Sequence, residues 1–303
     1  MAESKVVIVG PSKSGKTCYL STLAVAGWKR AAASESYSND GSSDLRCVVK
    51  PINQAMQDLS KNAQKIVIEG RFPINATMQV SNCEFDFEVE VPRRKFLGGN
   101  AWVKHHSHVH AIDGPGGSIF GTIGGVATVD ERLKEYREQL VSHAKVADGL
   151  LLCIDATDEE SAGAYFIDLP DLIQELEHWP FKRLVILLTK AEKLVPHELG
   201  AIDQLKSMSA AKYVTYLIGP TLGMLRSYGA DVPIACGWCS AFGFVPGEGT
   251  PNYNPQSEED DQLLSVLPGM TMPQKIRSWE PFRMLEPLIY LASGERGSLE
   301  LIE

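Results

Sequence analysis

Eight residues near the start of the chain, Gly10-Pro11-Ser12-Lys13-Ser14-Gly15-Lys16-Thr17, have the types and spacing of a phosphate cradle, G-x-x-x-x-G-K-[ST]. The glycines let successive backbone N–H groups, from Gly10 through Ser12, Lys13, Ser14, Gly15 and Lys16 to Thr17 and Cys18, close around phosphate oxygens. A helix starting after the loop turns its positive end toward the same charge. Lys16 is expected to reach the β- and γ-phosphates, and the Thr17 hydroxyl to bind Mg²⁺. A second acidic motif, Asp113-Gly114-Pro115-Gly116, follows a strand-like run. Asp113 suits a carboxylate that holds Mg²⁺, and the Gly116 amide can bond a γ-phosphate, so this segment can change shape when that phosphate leaves.

Three other clusters invite chemistry. His105, His106, His108 and His110 stand in HHSHVH, and on a strand His106, His108 and His110 share a face that can bind a metal. No Cys or Asp accompanies them at ligand spacing, so polar strand residues are the favoured reading. Cys236-Gly237-Trp238-Cys239 is a CxxC, but it sits inside strand-like text with no second pair, which reads as buried thiols. The acids at 258–261 read as a solvated loop.

The elements that must position these residues alternate along the chain. Residues 5–9, 149–155, 184–188 and 232–239 are short apolar runs that read as buried parallel strands. Residues 78–91 alternate, with Phe85, Phe87, Val89 and Val91 on one face and Glu84, Asp86, Glu88 and Glu90 on the other. Residues 103–112 form the next strand, with 92–99 as the connection. Helices are expected over 17–26, 52–63, 131–146, 171–179, 204–226 (bent near Gly219-Pro220) and 281–292, with Pro287 as a kink and Gly294 as the C-cap. Strands alternating with helices imply an α/β fold: a mostly parallel sheet with helices on both faces and one antiparallel edge strand.

In this order the motifs resemble those of the Ras-like, translation-factor-related class of P-loop GTPases. Thr189-Lys190-Ala191-Glu192 is similar to that family's [NT]-K-x-D guanine motif, and Ser240-Ala241 to its S-A-K/L turn. The resemblance implies a P-loop fold and GTP, GDP and Mg²⁺ as ligands. It also implies that Glu192 accepts from guanine N1 and N2, that the Lys190 stem lies along the base, and that a Ser240–Ala241 amide meets guanine O6. It assigns Lys16 and a threonine of the first switch, best matched by Thr77, to catalysis, and places Thr77 with Thr17 and Asp113 on the metal. Three departures stand out. Glu192 replaces aspartate, keeping the charge but adding a methylene that can weaken guanine selectivity. Gly117 stands where many members have a water-orienting glutamine, so intrinsic hydrolysis should be slow. Ser12 replaces a glycine, and its side chain can hinder an arginine finger supplied by a partner.

Composition narrows the alternatives. With 44% hydrophobic and 22% charged residues, the 303-residue chain is ordinary for a soluble globular protein. Apolar runs such as 150–154 and 184–188 fall far short of the roughly 20 residues of a spanning helix. A formal charge of -9 argues against a nucleic-acid partner. Sparse cysteines and the lack of a leader or lipidation pattern point to the cytoplasm without a membrane anchor. Length alone suggests about two domains. The motif-bearing strands nevertheless run through the whole chain, so a single domain over 1–303 is expected, with insertions near 30–76, 92–106, 114–129 and 243–276. The functional expectation is a Mg²⁺-dependent GTPase switch with an effector protein and a hydrolysis-activating partner. Its flexible switch segment would be 114–129. A nucleotide-binding scaffold with little hydrolysis is the alternative. A P-loop ATPase or phosphotransferase fits less well, because 243–275, where an Arg-rich lid belongs, holds only Lys275 as a basic residue.

Overall fold

The computed structural model describes residues 3–11, 14–32, 46–71, 81–94, 100–113, 131–159, 169–170, 172–229, 231–255 and 262–302. The strands are β1 (Glu3–Val9), β2 (Arg46–Pro51), β3 (Ser81–Arg94), β4 (Asn100–Asp113), β5 (Gly149–Asp155), β6 (Arg183–Thr189), β7 (Ile234–Trp238) and β8 (Glu300–Leu301). The helices are α1 (Lys16–Ala32), α2 (Gln54–Glu69), α3 (Glu131–Lys145), α4 (Ala201–Ser207), α5 (Ala210–Tyr228), α6 (Met272–Ser278) and α7 (Glu286–Ser293), with a 3₁₀ turn at Ala191–Leu194. All eight strands form one sheet in the order β2-β3-β4-β1-β5-β6-β7-β8. Its centre, β4-β1-β5-β6-β7, is parallel. The expected antiparallel pairing is β3 on β4; β2 extends it, and β8 adds two residues to β7 at the other edge.

β5 is buried along its whole length and β6 from Leu184 onward, which is why both read as unbroken apolar runs. Alternate residues feed two cores. Val7, Leu152, Ile154, Ile186 and Leu188 meet Leu140 and Ala144 of α3 and Val214 and Leu222 of α5. Val6, Ile8, Leu151, Val185 and Leu187 meet Leu20 and Leu23 of α1, Met56 of α2 and Leu288 and Leu291 of α7. Helices therefore cover both faces. No helix among the described residues is long and apolar enough to cross a membrane.

Several expectations change. Of the expected insertion 92–106, the described residues 92–94 and 100–106 extend the hairpin, with Pro92 paired to Trp102 and Arg94 to Asn100. The polar text from 30 to 76 hides β2, whose Arg46 and Lys50 alternate with buried Cys47 and Val49. Within the expected insertion 243–276, the described parts of 243–266 are largely packed. Asn252 is fully buried, donating to Phe242 O and Ser265 Oγ and accepting from the Ser265 N–H at 2.8 Å. Leu263 and Val266 join Ile66, Val67 and Trp279 in a third core. Glycine, proline and acid content marks irregular backbone, but such backbone is buried when its polar groups are satisfied. The acids at 258–261 and the expected switch 114–129 lie outside the described residues.

The expected helix over 204–226 is two, with Ser209 capping α5 by accepting from the Lys212 N–H. The bend falls at Ile218 (φ -132), next to Gly219-Pro220, where Pro220 cannot donate to the preceding turn. Pro287 starts α7 instead of kinking it, and Gly294 caps that helix at φ 86 as expected. Cys236 and Cys239 belong to opposite cores. Burial pushes the Cys236 thiol up to about 12 and raises Cys239 too, so the CxxC is a pair of inert buried thiols.

Candidate functional site

The residues singled out in the sequence gather at the carboxyl ends of the parallel strands, where ligands bind in open α/β sheets. Gly10 follows β1. The β1–β4 register, in which Ile8 pairs with Ala111, sets the end of β4 at Asp113 level with it. Thr189 ends β6 beside Asp155 of β5. Ser240 comes two residues after β7. The Asp113 side chain, Ser12, Lys13, Thr77, Gly116 and Gly117 lie outside the described residues.

The loop before α1 is tight. A Cβ on Gly10 would come within 2.5 Å of Ser14 Oγ and 3.0 Å of the Cys153 carbonyl. Gly15 takes the left-handed conformation at φ 73, which favours glycine. α1 begins at Lys16, so the N-terminal, positive end of the helix borders this loop. The buried Lys16 ammonium donates to the Gly10 carbonyl at 2.9 Å, drawing the ends of the loop together. Thr17 and Cys18 are half-buried in the same turn. The Ser14 hydroxyl is buried without a hydrogen-bond partner among the described residues.

β6 delivers the next group. The Thr189 hydroxyl lies 2.7 Å from the Ser14 carbonyl and 3.0 Å from the Ile154 carbonyl, tying the loop to β5 and β6. Lys190 adopts φ 56, unusual for a non-glycine residue, and its ammonium sits 2.5 Å from Asp155 Oδ2. Asp155 Oδ1 accepts from both the N–H and the hydroxyl of Thr157. Asp155 therefore anchors Lys190. Sequence reasoning took it only as a strand end, although an acid closing a wholly buried strand was a signal.

Glu192 is the most unusual group. It is 0% exposed, and neither carboxylate oxygen has a hydrogen-bond partner among the described residues. Burial pushes its carboxyl up to about 7, against the opposing pull of the Ser240 hydroxyl, its own backbone N–H, Lys193 and Lys190. Ser240 and Ala241 stand opposite. The Ser240 and Phe282 backbones exchange two hydrogen bonds, Ser240 Oγ accepts from the Gly243 N–H, and the Trp279 indole donates to the Ala241 carbonyl. One cavity is lined by Gly15, Cys18, Thr189, Lys190, Glu192 and Ala241, together with Tyr19, Lys193 and Phe242, which the sequence had not marked. Three of the four motifs thus share one cavity.

The histidine strand also looks different in three dimensions. The carboxylates missing along the chain come from the neighbouring strand: Glu84 pairs with His110 and Asp86 with His108 in the β3–β4 register. His110 is buried, its ring stacked 3.6 Å from that of His143 on α3. Burial, with His143 and His108 nearby, lowers it to about 3 and keeps it neutral.

Compared with models of protein families and with curated proteins, the chain matches none.

Proposed function

We propose that the chain is a Mg²⁺-dependent guanine-nucleotide-binding protein, a P-loop GTPase that hydrolyses GTP slowly and acts as a nucleotide-controlled switch. The observation that carries this reading is Glu192: a fully buried carboxylate whose oxygens have no partner in hydrogen-bond geometry among the described residues, in the same cavity as the phosphate-type loop. Guanine offers the two adjacent N–H donors such a group lacks, and adenine does not offer that pair. Leaving the carboxylate buried and unpaired costs stability that a ligand can recover.

In this reading the loop amides and Lys16 hold the phosphates, Thr17 with Asp113 and Thr77 holds Mg²⁺, and Ser240–Ala241 forms the far wall of the base pocket. The metal, when bound, neutralises phosphate charge. Lys190 is drawn to Asp155, which sets its stem beside the cavity. Gly117 offers no side chain to orient water, which supports slow turnover and keeps a non-hydrolysing scaffold as the second reading.

Titration of the purified chain with GTP, GDP and ATP tests this, alongside mass spectrometry of any nucleotide that co-purifies. GTP and GDP are expected to bind at least about tenfold more tightly than ATP, and Lys16→Ala to weaken binding by roughly 10²-fold or more, as for loss of one partner of a buried charged pair. Equal affinity for GTP and ATP overturns the guanine assignment. Unchanged binding in Lys16→Ala overturns the site. Tight GTP binding with turnover at the blank rate selects the scaffold.

A further inference from the structure

A second concentration of ligating groups lies along the β3/β4 hairpin, outside the cavity. On the face opposite Phe85 and Phe87, the register sets Glu84 against His110, Asp86 against His108, Glu88 against His106 and Glu90 against Lys104. The lower rungs are satisfied within the protein. Glu88 is 2.7 Å from both Lys50 and Lys104, and Asp86 Oδ1 is 3.1 Å from His108 Nδ1 and 3.3 Å from His106 Nε2. The top rung is different. Glu84 Oε1 lies 3.9 Å from His110 Nδ1, and Oε2 lies 4.0 Å from His108 Nε2. Both separations are too long for hydrogen bonds. His110 Nδ1 is buried and has no hydrogen-bond partner among the described residues.

These distances resemble those between atoms that share an ion. Ligands bound at about 2.0–2.2 Å in a tetrahedral arrangement sit roughly 3.3–3.6 Å from one another. We infer that Glu84, His108 and His110, whose ligand atoms all lie within 4.8 Å of one another, form a binding site for one divalent transition-metal ion of the zinc type. Two imidazoles and one carboxylate are borderline donors that suit zinc, whereas Mg²⁺ and Ca²⁺ prefer oxygen-only sets.

The surrounding groups fit that role. With the His108 Nδ1–H given to Asp86, the lone pair of Nε2 is left facing Glu84, the arrangement in which a second carboxylate orients a metal-binding histidine. The Asn82 amide donates to Glu84 Oε1 at 3.1 Å, and the His143 ring covers His110. The ion would clamp β3 to β4 beneath α3.

The test is isothermal titration of chelator-treated, nucleotide-free full chain with Zn²⁺, and with Co²⁺ read by its visible d–d bands. One equivalent is expected to bind, with the cobalt spectrum of a four-coordinate site. Glu84→Gln and His108→Asn are expected to lose at least about tenfold in affinity, and Asp86→Asn about 10–100-fold, the usual effect of removing an orienting carboxylate. Lys16→Ala should bind the metal like the unaltered chain. Because no residue is shared with the nucleotide cavity, failure of nucleotide binding in the same preparation leaves the metal result standing. Unchanged zinc affinity in Glu84→Gln and His108→Asn, or no uptake by the unaltered chain, overturns the site. Since His108 is partly exposed, its variant keeps the test decisive if the Glu84 variant does not fold.

Discussion

The chain treats its carboxylates in two opposite ways. Along the β3/β4 hairpin, Glu88 receives two lysines, which hold it well below the usual carboxylate range, at about 2. At the strand tips, neither Glu192 oxygen has a partner in hydrogen-bond geometry among the described residues, and burial outweighs the pull of the Ser240 hydroxyl to push the carboxyl up to about 7. One acid is neutralised by the protein itself, and the other stays a buried acceptor. Glu88 thus behaves as an acid satisfied within the sheet, and Glu192 as a buried acceptor short of donors, which is what the proposed base pocket requires.

The contrast can be broken by experiment. The largest effect is expected from Glu192→Gln. It should erase the preference for GTP over ATP and, in the nucleotide-free protein, raise stability at pH 8 by on the order of 2 kcal/mol. The sign follows from the raised value. The folded state holds a proton more tightly than the unfolded chain, so the stability contribution of Glu192 is fully present below the unfolded value near 4.5. It is lost as pH rises through about 7. Denaturant unfolding should therefore separate the two proteins at pH 8 and bring them together at pH 5. A variant no more stable at pH 8 would mean that the carboxylate has a donor after all.

Next comes the affinity for GDP. Guanine donors need the ionised carboxylate, so Kd should rise about tenfold for each pH unit below about 7, with proton release on binding, measured by titration in buffers of different ionisation heat. A flat profile between pH 6 and 8 would separate Glu192 from the ligand. The smallest effect belongs to Glu88→Gln. Its folded value is depressed, so its contribution is present above about 4.5 and lost as pH falls through about 2. Because Lys50 and Lys104 are well exposed, solvent screening limits the loss at pH 7 to about 1 kcal/mol or less, and high salt should shrink it further.

How far the two regions could be read from sequence follows from the range of their contacts. The phosphate-type loop, the strand ahead of it and the helix behind it lie within one continuous segment, so Gly15, Lys16 and α1 were legible together. Thr189 and Glu192 were legible because they close a strand of unbroken apolar residues. The acid–histidine ladder was not, although both rows were noticed separately. Glu84 and His110 become partners only through the β3–β4 register, and a one-residue slip would send every one of them to the other face. The third core escaped for a similar reason: Leu263 and Val266 pack on Ile66 and Val67, far away in the chain, across text that reads as loop. Asp155 was missed because its role depends on Lys190, a neighbour in the sheet and not in the chain.

The clamp of Trp279 and Phe282 on the 240–241 turn has a consequence for the order of assembly. In chain order, the loop on one side of the cavity comes more than 200 residues before the Trp279 and Phe282 that fasten the wall on the other. A nascent chain would carry the phosphate-type loop long before the turn opposite it could be fixed, since contacts of such sequence separation close late. The cavity is then complete only once the 279–282 segment has docked on the 240–241 turn.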